Sequence, residues 1–119
     1  MLRLPLLSIY FLHINKKEHL QLSSPGITGT IPKEIGNLAN SLSSLGCITC
    51  GIDGAIPTEL GLLTRLTSLV LTETNLNGTV PTEIGLLTNL RVLQLEKNQL
   101  TGTLPTELEN LPNLLEIFY

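Results

Sequence analysis

The prolines of this chain recur at a nearly fixed interval. Pro57 to Pro81 and Pro81 to Pro105 are each 24 residues apart, and Pro32 to Pro57 is 25. Around them the chain repeats itself, as "GIDGAIPTELGLLTRL", "NLNGTVPTEIGLLTNL" and "QLTGTLPTELENLPNL". A period of this length constrains the fold more than any other feature of the sequence. It means stacked units, none of which can bury its apolar side without its neighbours. With 119 residues in all, the chain makes a single domain.

The copies align on Gly29, Gly54, Gly78 and Gly102. Before Gly78 come Leu66, Leu69, Leu71 and Leu76, and before Gly102 come Leu90, Leu93, Leu95 and Leu100, giving the spacing L-x-x-L-x-L-x-x-N-x-L-x-G-x-I-P. Leu69 and Leu71 are two apart, so on an extended segment both face one side while Ser68, Val70 and Thr72 face the other. Each copy therefore carries a short strand with an apolar underside, whose leucines contribute roughly 1.5–3 kcal/mol apiece when neighbouring coils cover them. Asn98 holds the Asn position, where a side chain turned inward satisfies backbone groups of adjacent coils. Gly78 and Gly102 suit a turn with permissive dihedrals, and Pro81 and Pro105 open a helical turn at little cost in hydrogen bonds. Glu83 falls in that first turn, where the helix dipole favours it. Glu34, Glu59, Glu83 and Glu107 recur at one position and form a solvated outer stripe rather than an acid–base pair.

Seven basic and ten acidic residues, with the bases scattered, leave no nucleic-acid footprint. Trp is absent and aromatics are few, so the core is aliphatic. Motifs for nucleotide binding, nucleophilic hydrolysis and zinc proteolysis are missing, so the reading is non-enzymatic, with no cofactor.

The run "LRVLQLEKNQLTGTLPTELENL" resembles the leucine-rich repeat, in its 24-residue plant-type subclass with the "LxGxIPxxLGxL" extension; the phrasing is also similar to that of algal repeat proteins. The resemblance covers residues 17–119. It implies an α/β-type solenoid, a right-handed horseshoe or superhelix with a parallel concave sheet, of about four repeats plus a partial fifth. A second short sheet is implied beside it by the G-x-I-P segment. It further implies binding of a protein, peptide or glycan, as in ectodomains of receptor-like kinases and receptor-like proteins, and hence an extracellular or membrane-associated setting. A fragment of a longer receptor without independent activity is the alternative.

Some positions depart from the pattern. Lys17 stands for the leading Leu of the first copy and Pro25 for its Asn; Thr74 takes the Asn position of the third copy, and Glu109 replaces the Gly of Gly36, Gly61 and Gly85. The Asn ladder shrinks to Asn98, which predicts a less rigid spine. "GNLANSL" is one residue longer than "GLLTRL", which predicts a bulge on the outer side. In "CITC", Cys47 falls on an inward Leu position and Cys50 on the Asn position, so both are expected as buried structural thiols, with a disulfide as the alternative. A thiol redox or metal protein using this pair is the second function class. A zinc site would need two further ligands, and the histidines, His13 and His19, lie in another region.

Residues 1–16, "MLRLPLLSIYFLHINK", carry an apolar run from Leu4 to Leu12 with the length of a signal h-region, but no small-residue cleavage site follows. They read either as a signal or anchor-like segment that brings membrane association, or as a degenerate cap. "NGT" at Asn77 to Thr79 is an N-glycosylation sequon, meaningful in the secretory pathway. At the other end, "NLPNLLEIFY" aligns with "LLTNLRVLQL", so the alignment stops within a fifth strand, and an uncovered apolar layer there predicts marginal stability and self-association.

The binding surface follows from the alternation. Strand residues pointing away from the leucines form rows across coils: Gln21, Gly46, Val70, Gln94 and Phe118, flanked by Ser23, Ile48, Thr72 and Glu96, and by Ser24, Thr49, Glu73 and Lys97. The candidate ligand-binding residues are Gln21, Val70, Thr72, Glu73, Arg91, Gln94, Glu96 and Lys97, centred on Gln94, Glu96, Lys97 and Arg91.

Overall fold

A computed structural model describes residues 18–119. The segment 1–16, read above as a signal, anchor or cap, lies outside the described residues, as do Lys17 and His13. Each coil runs strand, turn, second strand, 3-10 helix. Strands β1 (His19–Leu22), β3 (Ser44–Ile48), β5 (Ser68–Thr72), β7 (Val92–Gln94) and β9 (Glu116–Phe118) form one parallel five-stranded sheet. Strands β2 (Thr28–Thr30), β4 (Gly51–Ala55), β6 (Asn75–Gly78) and β8 (Gln99–Leu100) form a parallel four-stranded sheet beside it. Short 3-10 helices at Lys33–Leu38, Thr58–Leu62, Thr82–Leu86 and Thr106–Asn110 close each coil, and each follows its proline directly. The parallel solenoid expected from the repeat is the observed architecture.

The leucine positions meet between coils. Leu66, Leu69, Leu76, Leu87, Leu90 and Leu93 are completely buried, and Leu71 and Leu95 nearly so. In the five-stranded sheet the register joins motif-equivalent residues: Leu20, Leu45, Leu69, Leu93 and Ile117 pair in line. The four-stranded sheet is different. Gly29 pairs with Ile52, Gly54 with Leu76 and Gly78 with Leu100, a slip of two motif positions at each coil. A slip of two preserves which side chains face out, so the sheet shears while its apolar face stays inward.

The 25-residue repeat is absorbed on the outer side, as expected. Its 3-10 helix has six residues against five in the others, while β1 keeps an unbroken register with β3. The helical turns stack closely because of the glycine that follows the stripe of glutamates. A Cβ on Gly61 would lie 3.0 Å from the carbonyl carbon of Glu83, and one on Gly85 only 2.5 Å from the Cβ of Glu107. Gly78 and Gly102 take φ of 75° and 78°, the left-handed turn that the motif required of them.

Asn98 behaves as the motif predicts. Its amide donates to the carbonyls of Leu71 at 2.6 Å and Leu95 at 2.8 Å, and its Oδ1 accepts the Thr74 hydroxyl and the Leu76 N–H. A second ladder, invisible in the motif, ties the coils at the opposite corner. Arg65 donates to the Asn40 carbonyl at 2.8 Å, Asn89 to that of Thr64 at 2.7 Å, and Asn113 to that of Thr88 at 2.9 Å. One repeat position thus supplies a side-chain donor to the preceding coil three times over, where the Asn ladder alone predicted a weaker spine.

In the last strand, Ile117 and Phe118 are half exposed. Tyr119, aligned with the inward Leu95, instead points its hydroxyl to the carbonyls of Thr101 and Gly102, at 3.2 and 2.9 Å.

Candidate functional site

The outward face of the five-stranded sheet carries the expected central row, Gln21, Gly46, Val70, Gln94 and Phe118. Its two ends are not one site. The Gln21 side chain donates to Ser44 Oγ at 3.0 Å and lies across Gly46, in the space that a Cβ there would fill. Gln21 stands three strands from Gln94, roughly 14 Å at ordinary strand spacing. Val70, Thr72, Glu73, Gln94, Glu96 and Lys97 sit together on two neighbouring coils, and Arg91, exposed, stands just before β7.

The sharpest local feature is a run of left-handed residues. Thr49, Glu73 and Lys97 occupy the same position in successive coils with φ of 56°, 55° and 58°. Side chains other than glycine take this conformation at a cost, and its recurrence in three coils makes it a property of the repeat. Here it brings Lys97 Nζ to 2.5 Å from Glu73 Oε1. Hydrogen bonding to Glu73, then its charge, with a smaller contribution from Glu96, raises the Lys97 pKa above its ordinary value. Both side chains are well exposed, so the pair adds little to folding stability.

Beside that pair lie two oxygens without partners. Thr72 is nine-tenths buried, and neither its Oγ1 nor Glu96 Oε2 has a hydrogen-bond partner among the described residues. The β5–β7 register that joins Val70 to Gln94 continues through the Glu73 N–H, which donates to the Glu96 carbonyl at 3.2 Å, so Thr72 and Glu96 belong to adjacent coils of one row. Both atoms lie beneath the surface of this row, so it is the exposed Glu73–Lys97 pair that the face presents to solvent. The sequence placed both residues in one row. It gave no sign that Thr72 would be buried or that Glu73 and Lys97 would turn left-handed.

The cysteines correct an expectation. Cys47 and Cys50 are both buried, as the register required, but they are joined as a disulfide rather than held as thiols. The left-handed turn at Thr49, between them, bends the chain back from β3, and the two Cα atoms stand 5.9 Å apart, within the ordinary range for a bridge. Asn77, the sequon residue, is exposed on β6 of the four-stranded sheet.

The comparisons agree with this architecture. The Leucine Rich Repeat family model matches residues 89–111. The chain is 39% identical to the crystal structure of PEPR1–AtPEP1 over 84% of its length and 14% of that chain, with TM-score 0.78. The chain is a plant-type leucine-rich repeat protein. This repeat protein is also 37% identical to the LRR ectodomain of the plant membrane receptor kinase GASSHO1/SCHENGEN3 from Arabidopsis thaliana in complex with CASPARIAN STRIP INTEGRITY FACTOR 2, over 76% of its length and 11% of that chain, with TM-score 0.71. It is 38% identical to a plant ice-binding protein, over 80% of its length and 31% of that chain, with TM-score 0.74. The leucine-rich repeat chain therefore spans less than a third of each of these structures. No curated protein matches it.

Proposed function

We propose that this array is a non-enzymatic recognition module that holds a peptide or protein ligand on the outward face of its five-stranded sheet, as part of a receptor-like protein at the cell surface. The observation that carries the reading is the exposed Glu73–Lys97 pair beside the Val70–Gln94 row on the outward face of the five-stranded sheet. A ligand that brings a carboxylate or an ammonium meets an opposite charge in that pair, while Gln94 offers both a donor and an acceptor for its backbone. The ectodomain of GASSHO1/SCHENGEN3, solved in complex with CASPARIAN STRIP INTEGRITY FACTOR 2, supports the class of function. The buried disulfide supports an oxidising compartment. Membrane attachment would come through residues outside those described, and the reading as one portion of a longer receptor is compatible with the small share of each similar structure that the chain spans. The thiol redox class loses support because both sulfurs of the bridge are buried, out of reach of a partner's thiol.

The test is selection of a displayed peptide library on the immobilised chain. Peptides enriched on the wild type should be lost on a Gln94→Ala/Lys97→Glu variant whose far-UV circular dichroism is unchanged, and kept on Glu59→Ala/Glu83→Ala. Equal loss on both variants would remove the reading.

A second reading rests on the other sheet. Thr30, Ala55, Thr79 and Thr103 are exposed and recur once per coil at or just past its strands, a set of small, uncharged side chains staggered by the shear. Similarity to a plant ice-binding protein gives that set a chemistry, ordered contact with an ice surface. Thermal hysteresis abolished by Thr79→Asp would favour it; none at any concentration would end it.

A further inference from the structure

The two faces of this solenoid differ in what they leave unused. On the four-stranded sheet the unused group is an amide. The amides of Asn89, Asn98 and Asn113 are each committed to backbone carbonyls. Asn77, like Asn75 and Gln99 near it, makes no side-chain hydrogen bond among the described residues, and it alone of the three begins a sequon; it stands exposed on β6, one strand in from the edge of its sheet. Two residues on, the Thr79 hydroxyl is likewise exposed. Gly78 between them takes φ of 75°, a conformation that needs no side chain at that point.

The shear of the sheet decides what surrounds Asn77. By motif alignment its neighbours would be Asp53 and Thr101; in the observed register they are Ala55 and Gln99. Directly opposite it are thus a methyl and a neutral amide, and the Asp53 carboxylate pairs with Asn75 instead.

We propose that Asn77 carries an N-linked glycan, and that the glycan covers the four-stranded sheet so that the five-stranded sheet is the broad face left bare for a partner. The co-reactant is an oligosaccharide carried on a polyprenyl diphosphate. The Asn77 side-chain nitrogen forms a bond to C1 of the first sugar, the bond from C1 to the diphosphate oxygen breaks, and the polyprenyl diphosphate leaves with that electron pair while the amide gives up one proton. Asn-Gly-Thr meets the acceptor rule, since the middle residue is not proline and the third bears a hydroxyl. An exposed side chain with no structural hydrogen bond lets the sugar remain on the folded chain without displacing anything. The inference rests on the cell-surface reading above, and it is incompatible with ice contact through Thr79, which lies two residues from the attachment point.

The experiment is secretion of the full chain from a eukaryotic host behind a foreign secretion signal. The expected result is a single-step gel shift that peptide:N-glycosidase removes, with Asn77 converted to Asp in the released peptide. Asn77→Gln and Thr79→Ala should abolish the shift, Thr79→Ser should retain part of it, and Asn75→Gln, outside any sequon, should leave it whole. A secreted chain whose Asn77 peptide has only its unmodified mass overturns the proposal. Expression from the chain's own amino terminus tests the compartment separately. Glycosylation behind the foreign signal but not there would sink the cell-surface reading while confirming Asn77 as an acceptor.

Discussion

Asn98 accepts the hydroxyl proton of Thr74 from the preceding coil while its own amide donates back to that coil at the Leu71 carbonyl, 2.6 Å away. Two coils are thus locked by a side chain that both gives and receives. Thr74, which replaces the motif Asn, has become the partner of the one Asn that remains. Asn98→Ala strands the carbonyls of Leu71 and Leu95 and the Thr74 hydroxyl, and should cost about 2–4 kcal/mol. Thr74→Val should cost less, since Asn98 keeps its own two donor bonds. Chemical denaturation of both variants checks the order; a larger loss for Thr74→Val would contradict it.

Inward and outward positions alternate along β5, so neighbouring substitutions should differ sharply. Leu69 is fully buried, and Leu69→Asp places an unpaired carboxylate among leucines, at a cost above about 4 kcal/mol. Val70, paired with Gly46 and Gln94 on the outward face, should accept Asp for less than about 1 kcal/mol. Matching melting temperatures for the two would show that the register is wrong.

The outer stack depends on glycine for space rather than for dihedral freedom. Gly61→Ala drives a methyl into the backbone of Glu83 and should cost about 1–3 kcal/mol by forcing the 3-10 turns apart. Gly26 provides the control, because a Cβ there meets nothing closer than Ser24 Oγ at 3.6 Å. Gly26→Ala should leave the stability within about 0.5 kcal/mol. Equal destabilisation would mean that the coils are not held at the observed spacing.

The disulfide closes a short loop, three residues apart in sequence, so its contribution is small for a bridge, about 2 kcal/mol. The folded chain should show no thiol reactive to maleimide, and unfolding without reductant should release none. Two labelled cysteines should appear only after reduction. Labelling of both on unfolding alone would restore the free-thiol reading.

Much of this molecule follows from one dimension of its sequence. The 24-residue period fixed the solenoid, the two-residue alternation of Leu69 and Leu71 fixed which side chains are buried, and Gly78 and Pro81 fixed where each coil turns, because all three are restated in successive copies. Val70 and Gln94 fall in one register row for the same reason. What acts between coils was beyond the sequence. The two-residue shear of the four-stranded sheet, which sets Ala55 rather than Asp53 beside Asn77, arises from how each coil settles on the next. The donors at Arg65, Asn89 and Asn113, the bridge between Cys47 and Cys50, and the burial of Thr72 beneath its neighbours were likewise decided by that stacking. A repeat states its own pattern in every copy, whereas the offset and contacts between copies are set by close packing of side chains that are far apart in the chain.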